Sequence, residues 1–399
     1  VDTSDEENRM SNQTQERRII GLDAHPYLFS AVALSGANPL VAKTEWVLDR
    51  VSLDNLEKTL RKRLRPQDIV VLEASGNSFS VAERLAVLGV TVHVLDSQTV
   101  SRVGSQYCVT DRTDAVKLAR VFLSGLAKIV WTPDARCKER RELFFAHRNA
   151  VRDAVRLRNR FWAWCNEQGV RRTKGFRMSN PRAIDTVREW KEWTELQILI
   201  IEGMLEAFQE AEGRRVRLRA RIAEEVMADP MILQLVRLLG VRHLIAFALM
   251  AFIDPIERFE NPKKLVAYIG LNPRVNISGT RGGTGRLSHH GRSDLRALMI
   301  QAAQSVLRYG TGPTHQWAIA LKMRKGATVA VAALARKIVV SVWYLLSGRF
   351  TLLKEVPQQL KIKIHKIASE IGAKRIRALG FKSMPAFEKQ KLEELLVPV

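Results

Sequence analysis

Four acidic side chains stand where this sequence predicts the end of a buried strand or the start of a helix. Asp23 lies at the end of the apolar run RIIGLDA, and Glu73 closes the run IVVLE. Asp111 and Asp114 are three residues apart in TDRTDA, so they share one helix face if a helix begins near Asp111. A carboxylate at the end of an apolar strand is out of place unless it has a chemical task. The four acids therefore predict a common site.

Converging carboxylates cannot all ionise without a counter-charge, because like charges at close range raise one another's pKa. Mg²⁺ prefers oxygen ligands and keeps coordination positions for water and phosphate. Two such ions can flank a scissile phosphodiester and stabilise both the attacking and the leaving oxygen. The acids thus predict metal-dependent phosphoryl transfer with Mg²⁺, or with Mn²⁺ as the alternative ion.

Each acid also has a simpler structural explanation. Asp23 could cap a turn before Pro26. Asp111 or Thr110 could be a helix N-cap, with Asp114 at the matching capping-box position. The catalytic interpretation is favoured because two strand ends and a D-x-x-D helix start occur together in one segment.

The first 133 residues predict an α/β domain from short β-branched runs and helical spacing. In chain order, the predicted elements are strands at 18–24, 30–34 and 45–48, a helix at 53–64, a strand at 69–73, a helix at 78–88, a strand at 90–95 and a helix at 113–123. Three antiparallel strands followed by strand–helix–strand–helix is the order of an RNase H-like fold. In that fold the strands that end in Asp23 and Glu73 are neighbours.

Long helices dominate the rest of the chain. Helices over 138–167 and 181–227 predict an antiparallel hairpin around a basic loop, with Pro181 in a first helical turn. The segment LVRLLGVRHLIAFALMAFI predicts two helices and a tight turn at Gly240, similar to a helix-hairpin-helix whose turn amides bind phosphate. The stretch 279–291 is so rich in glycine that it predicts a loop.

The net charge of +23 points to a polyanionic partner. Residues 1–133 hold 16 basic and 16 acidic side chains, whereas residues 134–183 carry a net charge of +9 and residues 301–399 a net charge of +12. This distribution predicts a nucleic-acid-binding body beside a separate catalytic domain. The alternative is a basic surface that is merely well solvated.

Cysteine use and hydropathy predict a cytoplasmic protein, and its expected nucleic-acid partner predicts association with a prokaryotic nucleoid. Cys108, Cys137 and Cys165 form no C-x-x-C motif, which argues against zinc and for free thiols in a reducing compartment. The acidic first 16 residues predict a disordered lead and not a signal peptide. The apolar stretch 327–346 contains two cations, which argues against a membrane span.

Three motifs and one long segment resemble the IS110 family of insertion-sequence transposases, which in turn resemble the Piv-type DNA invertases. The motifs are GLDAH (21–25), VLEASG (71–76) and TDRTDAVKLA (110–119). The segment 238–303 resembles the C-terminal domain of the same family. The two parts occur in the family's order, separated by a helical hairpin, and the resemblance covers residues 17 to about 350.

The resemblance implies a RuvC-like domain that binds Mg²⁺ through the four acids, Asp23, Glu73, Asp111 and Asp114. It also implies a nucleophilic serine in the C-terminal domain, which here is Ser278 in the step Ser278-Gly279. Family members form a transient phosphoserine link to DNA and are guided by a noncoding bridge RNA from their own element. They assemble as dimers that pair into tetramers, and the carboxylates of one subunit act with the serine of another.

Two positions depart from the family pattern. Members often have two serines before the glycine, whereas this chain has Ile277-Ser278, which leaves one candidate nucleophile. Many have a basic pair where this chain has His289-His290 before Gly291. These histidines could contact phosphate, transfer a proton or hold the loop in place.

The expected nucleic-acid contacts are basic side chains in the two glycine-containing loops. They are Arg171, Arg172, Lys174, Arg177, Arg274, Arg281, Arg286, His289, His290 and Arg292. The expected domains are 17–133 (RuvC-like), 134–230 (helical hairpin for dimerisation and nucleic-acid binding), 231–350 (serine transposase) and 351–399 (basic helical tail).

The sequence therefore predicts a homo-oligomeric, RNA-guided DNA transposase or recombinase. The first alternative is a metal-dependent nuclease or junction resolvase, in which water attacks and Ser278 is structural. The second is a non-enzymatic nucleic-acid-binding scaffold, which the presence of all four acids disfavours.

Overall fold

The computed structural model describes residues 18–103, 111–278, 281–288, 290–349 and 353–396, with the backbone alone described at 275–278, 281–284 and 286. The chain divides into two compact units, one that ends at Pro133 and one that begins at Asp134. The lead predicted for residues 1–16 and Cys108 lie outside the described residues.

A mixed six-stranded sheet forms the centre of the first unit. Its strands are β1 (Ile19–Ala24), β2 (Leu28–Ser35), β3 (Lys43–Ser52), β4 (Ile69–Glu73), β5 (Thr91–Leu95) and β6 (Ile129–Val130). Their order in the sheet is β3-β2-β1-β4-β5-β6, and β1 runs antiparallel to β2 but parallel to β4. The helices are α1 (Leu56–Leu60), α2 (Ser78–Ala86), α3 (Ser97–Val103) and α4 (Asp111–Leu123), with a 3₁₀ turn at Leu53–Asn55.

The predicted α/β class of this unit is confirmed. One helix differs from its prediction. The segment expected to be helical over 53–64 begins as a 3₁₀ turn, and its α-helical part ends at Leu60. Turns at 61–63 and 66–67 then lead to β4.

Hydrophobic residues cover both faces of the sheet. Ile20 and Leu22 of β1 pack into a core with α1 and α2, whereas Ile19 packs into a second core with α4. Successive side chains of a strand point to opposite faces of the sheet. Gly21 and Asp23 therefore lie on the same face as Ile19, toward α4.

Two long helices begin the second unit and pack against each other: α5 (Ala135–Glu167) and α7 (Glu195–Ala228). The prediction of one helix over 181–227 is wrong. Pro181 lies in a turn, the short helix α6 covers Ala183–Arg188, and residues 189–194 separate it from α7. Thr194 starts the new helix, because its side chain and that of Gln197 form a capping box.

The remainder of the second unit is mainly helical around one large core. Its helices are α8 (Pro230–Leu235), α9 (His243–Ile253), α10 (Pro262–Ile269), α11 (Ser293–Tyr309), α12 (Gly312–Lys325), α13 (Ala327–Leu346), α14 (Pro357–Ile371), α15 (Ala373–Ala378) and α16 (Met384–Leu396), with a 3₁₀ turn at Ile256–Arg258. Ile364 and Ile367 of α14 and Phe387 of α16 belong to the same buried cluster as α9 and α13. The basic tail is thus packed against this unit's core.

Among the described residues, α13 is a helix long and apolar enough to cross a membrane by length and composition. However, 56% of its apolar window is buried within the structure. Core packing in the second unit accounts for this hydrophobicity.

Within the stretch 279–291, which was predicted to form a loop, residues 281–287 form one strand of a two-stranded hairpin. Strand β7 (Pro273–Ser278) pairs antiparallel with β8 (Arg281–Leu287), and Ser278 lies opposite Arg281. Three glycines of the stretch are therefore part of β8. Glycine weakens strand propensity, but main-chain hydrogen bonds between strands need no side chain, which is why composition misled the prediction.

The tight turn predicted at Gly240 is present, with a φ of +75°. The N–H of Gly240 donates to Glu355 Oε1 at 3.1 Å. Lys363 Nζ, which lies 3.0 Å from the same carboxylate oxygen, also holds the turn. It donates to the carbonyls of Val236, Leu238 and Val241 at 2.8, 2.9 and 2.8 Å. The turn amide expected to bind phosphate is thus bonded to a carboxylate of the chain itself.

Candidate active site

Asp23 and Glu73 lie at the ends of two adjacent parallel strands. Leu22 of β1 is in register with Leu72 of β4, so the next residue along each strand is one of the two acids. The alternation of side chains places both on the face that α4 covers. The ends of β1 and β4 thus lie side by side in the sheet, as the sequence predicted.

Helix α4 lies unusually close to β1. A β-carbon placed on Gly21 would lie 1.8 Å from the carbonyl oxygen of Ala115, which no real side chain could tolerate. The absence of a side chain at Gly21 thus sets the distance between strand and helix. Since α4 begins at Asp111, this approach brings its first turn, with Asp111 and Asp114, to the strand ends.

His25 lies between two of the predicted acids. Its Nε2 atom is 3.4 Å from Asp23 Oδ2 and 3.4 Å from Asp111 Oδ1. One ligand atom from each of these three residues lies within 4.8 Å of the other two. The His25 main chain is held by hydrogen bonds to the Leu28 carbonyl at 2.8 Å and from the Asn77 amide at 3.1 Å.

The electrostatics of the site favour neutralisation by a cation. Burial raises the pKa of Asp23 above its ordinary value, and the charges of Asp114 and Asp111 raise it further, while His25 opposes them. Burial also raises the pKa of Glu73, with Lys117 lowering it and Asp23, Asp114 and Asp96 raising it. These carboxylates therefore repel one another when they are charged, and a hard divalent ion would relieve that repulsion.

The donor atoms present fit a divalent metal ion. Carboxylate oxygens are the preferred ligands of Mg²⁺ and also suit Mn²⁺, which accepts an imidazole nitrogen as well. Asp23 and Asp111 are both partly exposed, so a phosphate or water could reach the site from solvent. The charge of Asp114 acts on Asp23, and the charges of Asp23 and Asp114 act on Glu73, so all of these carboxylates lie near one another.

Three residues near the acids were missed by the sequence reasoning. His25 stands within the motif GLDAH, and its signal was an imidazole two residues after a carboxylate at a strand end. Lys117 follows Asp114 by three residues on α4, so both share one helix face. Asp96 follows β5, but its carboxylate accepts hydrogen bonds from Thr99 at the start of α3, which gives it a structural role.

The predicted nucleophile Ser278 is the last residue of β7 and pairs with Arg281 of β8. It belongs to the second unit, whereas the four acids belong to the first. The Ser278 side chain and the following Gly279 lie outside what the structure describes.

The basic residues predicted to bind nucleic acid differ in exposure and in place. Arg171, Arg172, Lys174 and Arg177 are exposed near the end of the helical hairpin, and Arg274 and His290 are exposed near the β-hairpin. His289 and the side chains of Arg281 and Arg286 lie outside the described residues. Arg292 differs from the rest: it pairs with Asp294 at 2.7 Å, and its guanidinium lies 3.9 Å from the centroid of the Phe252 ring.

Comparison with known proteins supports a DNA transposase or recombinase enzyme. Residues 234–317 match the model of the transposase IS116/IS110/IS902 family. A probable family 20 transposase of Pseudomonas aeruginosa is 26% identical over 340 residues, which cover 82% of this chain and 96% of that protein.

Two further relatives are similar over shorter lengths. The transposase for insertion sequence element IS1111A of Coxiella burnetii is 35% identical over 115 residues, 28% of this chain and 32% of that protein. A putative transposase, y4qE, of Sinorhizobium fredii is 22% identical over 239 residues, 58% of this chain and 56% of that protein. The resemblance to the IS110 family that the sequence motifs indicated is confirmed.

Proposed function

We propose that this protein is an insertion-sequence transposase that cleaves and exchanges DNA strands through a carboxylate–metal site and the hydroxyl of Ser278. The observation that carries the proposal is the meeting of Asp23, His25 and Asp111 at the end of β1, beside Glu73. A set of carboxylates at one sheet edge is the arrangement that phosphoryl transfer by divalent ions requires.

The first unit then acts as a RuvC-like catalytic domain. Its support is the strand order β3-β2-β1-β4-β5, with the first three strands antiparallel and β1, β4 and β5 parallel. In this topology β1 carries Asp23 and its parallel neighbour β4 carries Glu73. The helix α4, which packs across their face, supplies Asp111 and Asp114.

Asp23, Glu73, Asp111 and Asp114 would hold Mg²⁺, or Mn²⁺, with His25 beside them. A bound ion would polarise the scissile phosphate and lower the cost of deprotonating the attacking hydroxyl. The residues of the chain orient that ion: β1 and β4 fix two carboxylates, and the first turn of α4 fixes two more.

Ser278 would supply the attacking oxygen. Its Oγ forms a new bond to phosphorus, the bond from phosphorus to one DNA oxygen breaks, and that oxygen leaves with a proton as a free DNA hydroxyl. The phosphoserine ester keeps the energy of the broken phosphodiester, so a DNA hydroxyl from another strand can attack it and restore the serine. No high-energy cofactor is needed, which suits recombination better than digestion.

A noncoding guide RNA and a homo-oligomeric assembly, a dimer that pairs into a tetramer, complete the proposal. The support for a nucleic-acid partner is the net charge of +23, all of which comes from residues beyond 133. Sequencing the RNA that co-purifies when the chain is expressed with its flanking DNA tests the guide. A discrete RNA with segments complementary to donor and target is expected, and only heterogeneous cellular RNA would contradict it.

Trapping of the protein–DNA adduct tests the strand-transfer chemistry directly. With a nicked substrate that prevents rejoining, the unsubstituted protein should yield a covalent species on a denaturing gel, and Ser278→Ala should yield none while still binding DNA. Ser288→Ala, just beyond β8, is the matched control and should form the adduct. Cleavage without any adduct would instead establish the metal-dependent nuclease, in which water attacks.

A further inference from the structure

Aromatic rings cluster where α5 approaches its end and the connection to α7 begins. Phe161, Trp162, Phe176 and Trp190 form this tip cluster, and Phe161 is fully buried within it. Trp162 stacks on Trp190 with ring centroids 5.9 Å apart and an interplanar angle of 22°. The ring of Phe176 contacts that of Trp162 edge-on, with ring centroids 5.7 Å apart. The indole of Trp162 is thus held rigidly from within the cluster.

The indole of Trp162 is half-buried, so part of it faces solvent. It forms part of a surface depression of about 470 Å³, which is lined by Arg158, Asn159, Trp162, Ala163, Asn166 and Arg172. All of these except the half-buried Trp162 are exposed. The guanidinium carbon of Arg172 lies 5.7 Å from the centroid of the indole.

Helix geometry explains why these side chains meet. Asn159 and Asn166 lie three residues before and four residues after Trp162 on α5, so all three share one face. Ala163, on the same helix, has only a methyl group and leaves the space beside the indole open. The depression therefore has an aromatic wall, two primary amides and two guanidinium groups.

The charge around the depression is strongly positive. Residues 154–184 contain eight basic side chains and one acidic one, and none of the residues that line the depression is acidic. Cations of this density attract phosphates. A flat aromatic surface between cations and amides fits a nucleobase, because every base has a π-face that stacks and an edge that forms hydrogen bonds. In a duplex the base faces are already stacked, so only an unpaired base could lie on the indole.

We propose that the Trp162 depression binds an unpaired nucleotide of a single-stranded nucleic acid. The base stacks on Trp162, the flanking phosphates pair with Arg158 and Arg172, and the amides of Asn159 and Asn166 face the edge of the base. None of the residues that line the depression belongs to the proposed strand-transfer site, so this proposal stands even if the Ser278 chemistry does not.

Ala163→Glu in the full-length chain tests the proposal. A glutamate there fills the open space and repels phosphate, and it is tolerated because Ala163 is an exposed helical residue. Ala146→Glu is the matched control, since Ala146 is also exposed on α5 and lies about 25 Å away along the helix axis. Both variants carry the same change in charge, and thermal melting verifies that both fold.

Fluorescence anisotropy with short labelled single-stranded RNA, single-stranded DNA and duplex DNA measures binding at one fixed salt concentration. We expect Ala163→Glu to bind the preferred single strand about tenfold more weakly, the order expected for one lost base stack. Ala146→Glu should bind it as the unsubstituted protein does, and duplex binding should be equal in the two variants. A stronger effect on RNA identifies an RNA strand as the ligand, and a stronger effect on DNA identifies an unpaired DNA strand.

Photo-crosslinking with 5-iodouracil in the preferred single strand gives an independent readout. The crosslinked tryptic peptide should be 161–171, with the adduct on Trp162. Equal affinity of Ala163→Glu and Ala146→Glu for single strands would overturn the proposal, and so would a crosslink confined to other peptides.

Discussion

The main chain of Gly21 passes so close to Ala115 that a β-carbon on Gly21 would lie 1.8 Å from the Ala115 carbonyl oxygen. This contact lies two residues before Asp23 on β1 and four residues after Asp111 on α4. It therefore sets how near the first turn of the helix comes to the end of the strand. The geometry of the candidate metal site depends on a residue that has no side chain.

Replacing Gly21 by alanine should disrupt this contact. The added methyl group must push α4 away from β1, and overpacking of this kind costs about 1–3 kcal/mol of unfolding free energy. Strand cleavage should fall because Asp111 and Asp114 move with the helix. Denaturant unfolding and a DNA cleavage assay measure the two effects. Gly76→Ala is the control, since a β-carbon there meets nothing within 4 Å and stability should hardly change.

Asp23→Asn should abolish DNA strand cleavage without lowering the melting temperature. The amide keeps the shape of the side chain but is a poor metal ligand. Burial and the neighbouring acids raise the pKa of Asp23, which means that its charged form is disfavoured in the fold, so a neutral amide should leave stability equal or slightly higher. Asp54→Asn, an exposed acid of the same unit, should keep full cleavage. An active Asp23→Asn protein would remove Asp23 from the catalytic site.

Mg²⁺ should stabilise the protein through the same carboxylates. An ion that binds only the folded chain raises the unfolding free energy by about 1.4 kcal/mol at a free concentration ten times its Kd. Differential scanning calorimetry with Mg²⁺ and with EDTA should show this as a higher melting temperature with Mg²⁺. The shift should vanish in Asp111→Asn and persist in Asp54→Asn. If Asp111→Asn keeps the whole shift, the ion binds elsewhere.

The second unit should lose stability on mild acidification because of His147. This buried histidine of α5 faces Arg219, Arg215, His243 and Glu370. Burial, aided by the two arginines, lowers the pKa of His147 to about 4. The unfolded chain takes up the proton near the ordinary value of about 6.5, so the unfolding free energy falls as the pH drops through this interval, by about 2 kcal/mol between pH 7 and pH 5.

His147→Gln should remove most of that dependence. Urea unfolding followed by tryptophan fluorescence reports mainly on the second unit, because six of the eight tryptophans follow Asp134. His365→Gln, which alters an exposed histidine, should keep the pH dependence of the unsubstituted protein.

Glu370 affects stability at lower pH. Burial raises the pKa of Glu370, but His243 and Arg219 outweigh burial and lower this pKa to about 2. The stability that the charged Glu370 contributes is therefore lost only between about pH 4.5 and pH 2.

Much of the first unit follows from short-range pattern. The runs ending in Asp23 and Glu73 have strand character in themselves, and the period of two residues along a strand determines which side chains share a face. Once β1 and β4 are neighbours, the two acids must be close. For this reason the amino-acid pattern alone is enough to name these two acids, together with the D-x-x-D at the start of α4.

Other features arise from contacts that no local pattern contains. His25 lies between Asp23 and Asp111, although the second acid comes 86 positions after the histidine, and Gly240 donates its N–H to a carboxylate 115 positions further on. The glycine-rich stretch became a hairpin because β7 supplied partners for its main chain.

By itself, the sequence determined the strands, their faces, the four acids and the excess of positive charge, because each depends on neighbouring residues or on composition. The tertiary structure decided which side chains meet across long separations. It placed His25 against the acids, bonded the Gly240 turn to Glu355 and brought Trp162 into a surface depression with two arginines. Such contacts depend on how whole elements pack, and packing is a property of the folded chain rather than of any segment.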